Sequence, residues 1–269
     1  MKLKRPGRSL RINRMDIMKV KVAVITGYGI NADNELVSAF EFAGAAAQKI
    51  HINDLIANPT LLDQFHIAGF AGGFSFGDHL GSGLVYAHLF KKHLQKTLDN
   101  FIASEKLIIG ICNGFQVLVK MGVLPNTKGD WTQEVSLIHN QSGVFQDQWV
   151  KLEFNQSSPC VWTKNLTTMD APIRHGEGRF ITDNDSVFNH LKSNNLIAIT
   201  YQGENPNGSQ GQVAGICDTT GRILGLMPHP EAFIFVENHP KWTRQNIDKP
   251  MGIEIFKNGV NYIKENFKA

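Results

Sequence analysis

Cysteine is scarce: Cys112, Cys160 and Cys217 are the only three among 269 residues, and no two lie close in sequence. That spacing excludes a disulfide framework and a zinc site built on paired thiols, and it suits a reducing compartment. Long apolar runs are also missing, since no stretch approaches the ~20 residues that cross a bilayer, and the N-terminus has no apolar signal core. The expectation is a cytoplasmic protein with no membrane partner. No Gly-x-x-x-x-Gly-Lys-Ser/Thr loop or other phosphate cradle occurs, so ATP chemistry is not expected within the chain.

Charge is unevenly spread. Residues 1–19 carry +6 of a formal net +3, which leaves the remainder slightly acidic at −3. A basic start containing Gly and Pro, with few apolar residues, reads as a disordered extension over residues 1–18. No aromatic side chain interleaves with its charges, so nucleic acid is not expected as a partner. A chain of this length with 42% hydrophobic residues buries a full core, and one domain over residues 19–269 is the simplest organisation.

Strand patterns at residues 20–26, 46–52, 67–71 and 107–111 alternate with helical patterns at 33–42, 83–99 and 114–121. That alternation predicts an α/β fold, an open and mostly parallel sheet with helices on both faces. Segments 131–139 and 144–154 mix apolar and polar residues as antiparallel strands do, which predicts an insertion at the sheet edge. Further strands are expected near 171–175, 196–201, 213–217 and 222–227, and a terminal helix over 251–266.

Ligands of open α/β sheets bind beyond the carboxyl ends of the strands, and three loops stand there. They are Gly72 to Asp78, the segment Gly110-Ile111-Cys112-Asn113-Gly114, and Pro228-His229-Pro230-Glu231. Gly-x-Cys-x-Gly after an apolar run is the thiol counterpart of a serine nucleophile elbow. Cysteine is usually a buried packing residue, but packing alone has no need of backbone freedom on both sides. A nucleophilic thiolate needs a base held by a third group. In an extended segment residues two apart share a side, which lets Glu231 orient His229 toward Cys112. Backbone amides of Asn113 and of the Gly72-Gly73 loop are candidate oxyanion donors, a plain glycine turn being the competing reading for the latter.

These motifs resemble the class I glutamine amidotransferases. With the loop from Gly72 to Asp78, the segment from Pro172 to Phe180 and Asn205-Pro206-Asn207-Gly208-Ser209, the resemblance narrows to the glutaminase subunits of phosphoribosylformylglycinamidine synthase. It covers residues 19–231 and the final helix. The resemblance implies that Cys112 attacks the carboxamide of glutamine, that His229 shuttles protons and that Glu231 orients it. It further implies an oxyanion hole at Gly73 and Asn113, and glutamine contacts at Gln116, Gly176 and Glu177. Ammonia would pass to a synthetase subunit that uses ATP and Mg, within a complex holding a small third subunit. No cofactor or metal is implied for this chain itself.

Two departures limit the resemblance: Ala232 follows His-Pro-Glu where the family usually has arginine, and the basic extension precedes the first strand. Trp242 and Arg244, in the extended segment after Ala232, are candidate interface anchors, with local packing as the other reading. Another amidotransferase, a same-fold cysteine hydrolase and a silent assembly subunit remain the rival readings.

Overall fold

The run Lys21-Val-Ala-Val-Ile-Thr26 buries four consecutive residues and forms β1 (Lys21–Thr26), as a strand covered on both faces must. The computed structural model describes residues 19–267, so the predicted extension over residues 1–18 lies outside the described residues. After β1 come α1 (Asp33–Phe42), β2 (Ala46–His51), a short α2 (Ile52–Ala57) and β3 (Ile67–Phe70). Then follow α3 (Leu84–His93), α4 (Gln95–Ala103), β4 (Leu107–Ile111) and α5 (Asn113–Met121). The second half contributes β5 (Val135–His139), β6 (Gln146–Phe154), β7 (Thr168–His175), β8 (Glu177–Thr182) and α6 (Asp185–Ser193). It closes with β9 (Ile197–Tyr201), β10 (Val213–Cys217), β11 (Ile223–Leu226) and α7 (Gly252–Asn266).

Nine strands form one sheet in the order β2-β1-β3-β4-β11-β10-β9-β6-β7. The stretch from β2 to β11 is parallel, whereas β10, β9, β6 and β7 continue it in antiparallel pairings. Gly69 meets Leu36 and Phe40 of α1, while the next residue, Phe70, lies against Gly114 of α5. Successive strand residues face opposite sides, so α1 and α5 cover opposite faces of the sheet. On the α1 face Phe40 packs against Phe256 of α7, with ring centroids 5.1 Å apart. On the α5 face Phe70, Phe90 and Tyr86 stack in sequence. Each such buried ring contributes on the order of 1.5–3 kcal/mol relative to exposure.

Two expectations need correction. The predicted helix over 83–99 is two helices, because the backbone leaves helical geometry at Leu94 (φ −127°) and turns that side chain into the core. Segment 131–139 does not join the main sheet, since β5 pairs with β8 in a separate two-stranded sheet. Strand β8 itself and helix α6 were absent from the sequence reading. Glu177-Gly-Arg-Phe-Ile-Thr182 has no strict alternation that would mark a strand, whereas Asn184 caps α6 by accepting from the Val187 amide.

Candidate active site

Cys112 follows the last residue of β4, Ile111, and its backbone adopts φ 52° and ψ −106° before α5 begins. Such a conformation costs a non-glycine residue roughly 1–3 kcal/mol and persists only where its surroundings enforce it. The flanking glycines are part of that enforcement. A Cβ on Gly114 would stand 2.0 Å from the Phe70 carbonyl oxygen, and one on Gly110 would meet Leu118 at 2.6 Å and Gly114 at 2.8 Å. Strand and helix therefore touch through backbone, and the sharp turn lifts Cys112 to the carboxyl edge of the sheet. Its Sγ donates to the Arg174 carbonyl at 3.7 Å.

Parallel pairing of β4 with β11 in the register Ile111↔Leu226 brings the segment after β11 beside the elbow. Pro230 begins a single helical turn there, and the His229 Nδ1–H donates to Glu231 Oε1 at 2.6 Å. Both side chains are almost fully buried. Burial opposes an imidazolium at His229, but the Glu231 carboxylate and the Cys112 sulfur outweigh it and hold the pKa up to about 10. The other ring nitrogen, Nε2, has no hydrogen-bond partner among the described residues. Cys112, His229 and Gly73 line one cavity of about 140 Å³, walled also by Phe74 and Phe145. A larger cavity of about 680 Å³ includes Cys160 but no member of this group.

Gly73 has φ 149°, and a Cβ there would lie 2.7 Å from the Gly29 carbonyl oxygen. Its amide and that of Asn113, the first residue of α5, donate to no protein acceptor among the described residues. Gly72 governs the imidazole: a Cβ on it would approach His229 Cε1 to 2.8 Å. Gly72→Ala is expected to push the ring aside and lower the turnover of the site about 100-fold, the scale on which a 1 Å misplacement acts. Thermal melting together with steady-state turnover checks this, since the fold should survive.

The remaining sequence candidates sit differently. Gln116 is buried, and its amide is engaged at both ends: Oε1 accepts from Asn113 Nδ2 at 2.9 Å and Nε2 donates to the Glu177 carbonyl at 2.5 Å. Glu177 is buried, and Oε2 accepts from the Ser82 amide at 3.1 Å, while Lys120 donates to the Ser82 carbonyl at 2.5 Å. Gln116 and Glu177 thus tie α5, β8 and the loop of residues 72–83 together behind the cavity wall. Gly176 lies next to Phe145, 3.8 Å from where its Cβ would be. His175 is buried close by, with Nδ1 3.1 Å from Asn140 Oδ1. Burial, and next the charge of His229, lower its pKa to about 4, which keeps it neutral beside the imidazolium.

Arg174 and Asp147 also line the cavity, and the sequence reading assigned them nothing. The signal was present for Arg174, which lies inside the segment from Pro172 to Phe180. Its aim toward Cys112 depends on where β7 runs, and no local pattern encodes that.

Residues 19–263 match the family described as CobB/CobQ-like glutamine amidotransferase domain. The chain is 40% identical over 268 residues to the phosphoribosylformylglycinamidine synthase subunit PurQ of Methanococcus maripaludis, covering 91% of this chain and 98% of that protein. It is 38% identical to the subunit of the same name from Dehalococcoides mccartyi, covering 92% and 99%. Among solved structures it resembles a chain of PurLQS from Thermotoga maritima, with a TM-score of 0.71, 28% identity and coverage of 91% and 100%.

Proposed function

Since the chain belongs to the CobB/CobQ-like glutamine amidotransferases and, within them, to the PurQ subunits of phosphoribosylformylglycinamidine synthase, we propose that it hydrolyses glutamine and delivers the ammonia to a synthetase subunit. That partner would use ATP and Mg to convert formylglycinamide ribonucleotide to formylglycinamidine ribonucleotide, a step of purine synthesis. A small third subunit completes the complex. This chain contributes residues 19–269 as one amidotransferase domain and needs no metal of its own. The observation that carries the reading is the buried His229–Glu231 pair opening onto the same cavity as the strained Cys112.

Chemistry follows from the protonation state. With His229 an imidazolium, its proton is taken from the Cys112 thiol and a thiolate results. The sulfur adds to the carboxamide carbon of glutamine, and the oxygen takes the charge between the amides of Gly73 and Asn113. Collapse breaks the C–N bond as the imidazolium gives its proton to the leaving nitrogen, so ammonia departs and a glutamyl thioester remains on Cys112. Neutral His229 next takes a proton from water, whose oxygen attacks the thioester, and glutamate leaves with the thiolate restored. Glu231 stays ionised throughout and holds the ring in the productive tautomer. The elbow sits at the N-terminus of α5, whose dipole favours the thiolate.

Incubation with glutamine, with and without the cognate synthetase, tests the assignment. Glutamate release that rises when the synthetase is added is expected. A same-fold hydrolase would be indifferent to the partner, and its substrate would not need to be glutamine.

A further inference from the structure

We infer that Arg174 and Asp147 select the amino-acid end of glutamine, the guanidinium taking the α-carboxylate and the aspartate the α-ammonium. This rests on the glutaminase reading above and names the part of the site that distinguishes glutamine from other primary amides. An α-amino acid is a zwitterion, so a pocket that recognises it by charge presents a cation to its carboxylate and an anion to its ammonium. Gln116 and Glu177 do not supply these. Gln116 is a neutral amide with both ends engaged, and the Glu177 carboxylate is committed to the Ser82 amide.

Arg174 and Asp147 do supply them. They are direct partners in the antiparallel pairing of β6 with β7, which sets their side chains on one face of the sheet. Both line the cavity that holds Cys112. The Arg174 backbone is fixed at the nucleophile, its carbonyl accepting from Cys112 Sγ at 3.7 Å. Its side chain is aimed by a single bond, Nη2 donating to Glu35 Oε2 at 2.9 Å. The remaining guanidinium N–H groups donate to no protein acceptor among the described residues, which leaves a fork for a carboxylate. Asp147 is exposed on the cavity rim and has no ion-pair partner within 4.0 Å among the described residues. Phe74 and Phe145 line the same cavity with ring centroids 6.3 Å apart, apolar surface suited to the methylene chain of the substrate.

The test crosses two variants with two truncated amides in the complex with the synthetase, reading ammonia release. 4-Aminobutanamide keeps the carboxamide and the ammonium but lacks the carboxylate; glutaramic acid keeps the carboxylate but lacks the ammonium. Arg174→Met is expected to lower kcat/KM for glutamine about 10- to 100-fold, the scale of a charge-assisted hydrogen bond, chiefly through KM. It should leave the already poor rate with 4-aminobutanamide unchanged. Asp147→Asn, a change at an exposed strand position, should show the converse insensitivity toward glutaramic acid. Arg174→Lys should recover part of the loss. A uniform decrease with all amides, or no change in either preference, would overturn the inference. No release from glutamine by the unaltered complex would instead overturn the glutaminase reading, and this inference with it.

Discussion

Replacing Cys112 with alanine abolishes glutamine-dependent amidation, by about a million-fold on the scale at which loss of a nucleophile acts, while the complex continues to use added ammonia. The two activities separate because ammonia enters after the step that needs sulfur. Alanine is a suitable probe here, since it keeps the Cβ and asks nothing new of the turn at φ 52°. Among the described residues the hydrogen bond it deletes to the backbone is the weak Sγ donation to the Arg174 carbonyl. Parallel assays of the variant complex with glutamine and with ammonium salt read the effect. Equal loss of both would make Cys112 a structural element of the complex.

Glu231→Gln is the second large effect. The carboxylate is the strongest influence holding His229 up to about 10 against its burial, so its removal moves that value down and leaves less imidazolium at neutral pH. The loss expected in kcat/KM for glutamine is about 100- to 10,000-fold, the range over which acid–base catalysis contributes. The profile against pH should change as well. In the unaltered chain the imidazolium persists until pH approaches about 10, so the alkaline limb lies near that value, and in the variant it moves toward neutrality. Stability follows the same linkage. A histidine raised on folding stabilises fully below its ordinary value of 6.5, and the contribution is lost as pH rises through about 10. Denaturant titrations across that window should show the decline in the unaltered chain and a smaller one in the variant. An unmoved alkaline limb would mean that Glu231 does not set the state of His229.

Much of the scaffold was legible because its signals are local. Helix α1 has the bounds its periodicity predicts, Asp33 to Phe42, and the strand before Cys112 is a continuous apolar run with a glycine on each side of the turn. His229 and Glu231 were legible for the same reason, being two residues apart in a short segment fixed by proline. What was not legible depends on pairing between distant segments. Leu94 breaks a helix because the core takes its side chain, and β5 leaves the sheet edge because β8 offers it a partner. The bonds of Gln116 and Glu177 were not legible either, since Gln116 donates to the Glu177 carbonyl across 61 residues of sequence and the Glu177 carboxylate accepts from the Ser82 amide. Arg174 faces the nucleophile only because β7 lies beside β6 and Glu35 waits on α1.

Acid quenching of the reconstituted complex during turnover of radiolabelled glutamine, followed by peptide mapping, reaches the central claim most directly. The expected result is a base-labile glutamyl label on the peptide of Cys112, discharged by hydroxylamine and absent from those of Cys160 and Cys217. Glutamate release with no label on Cys112, or with label on another residue, would contradict it.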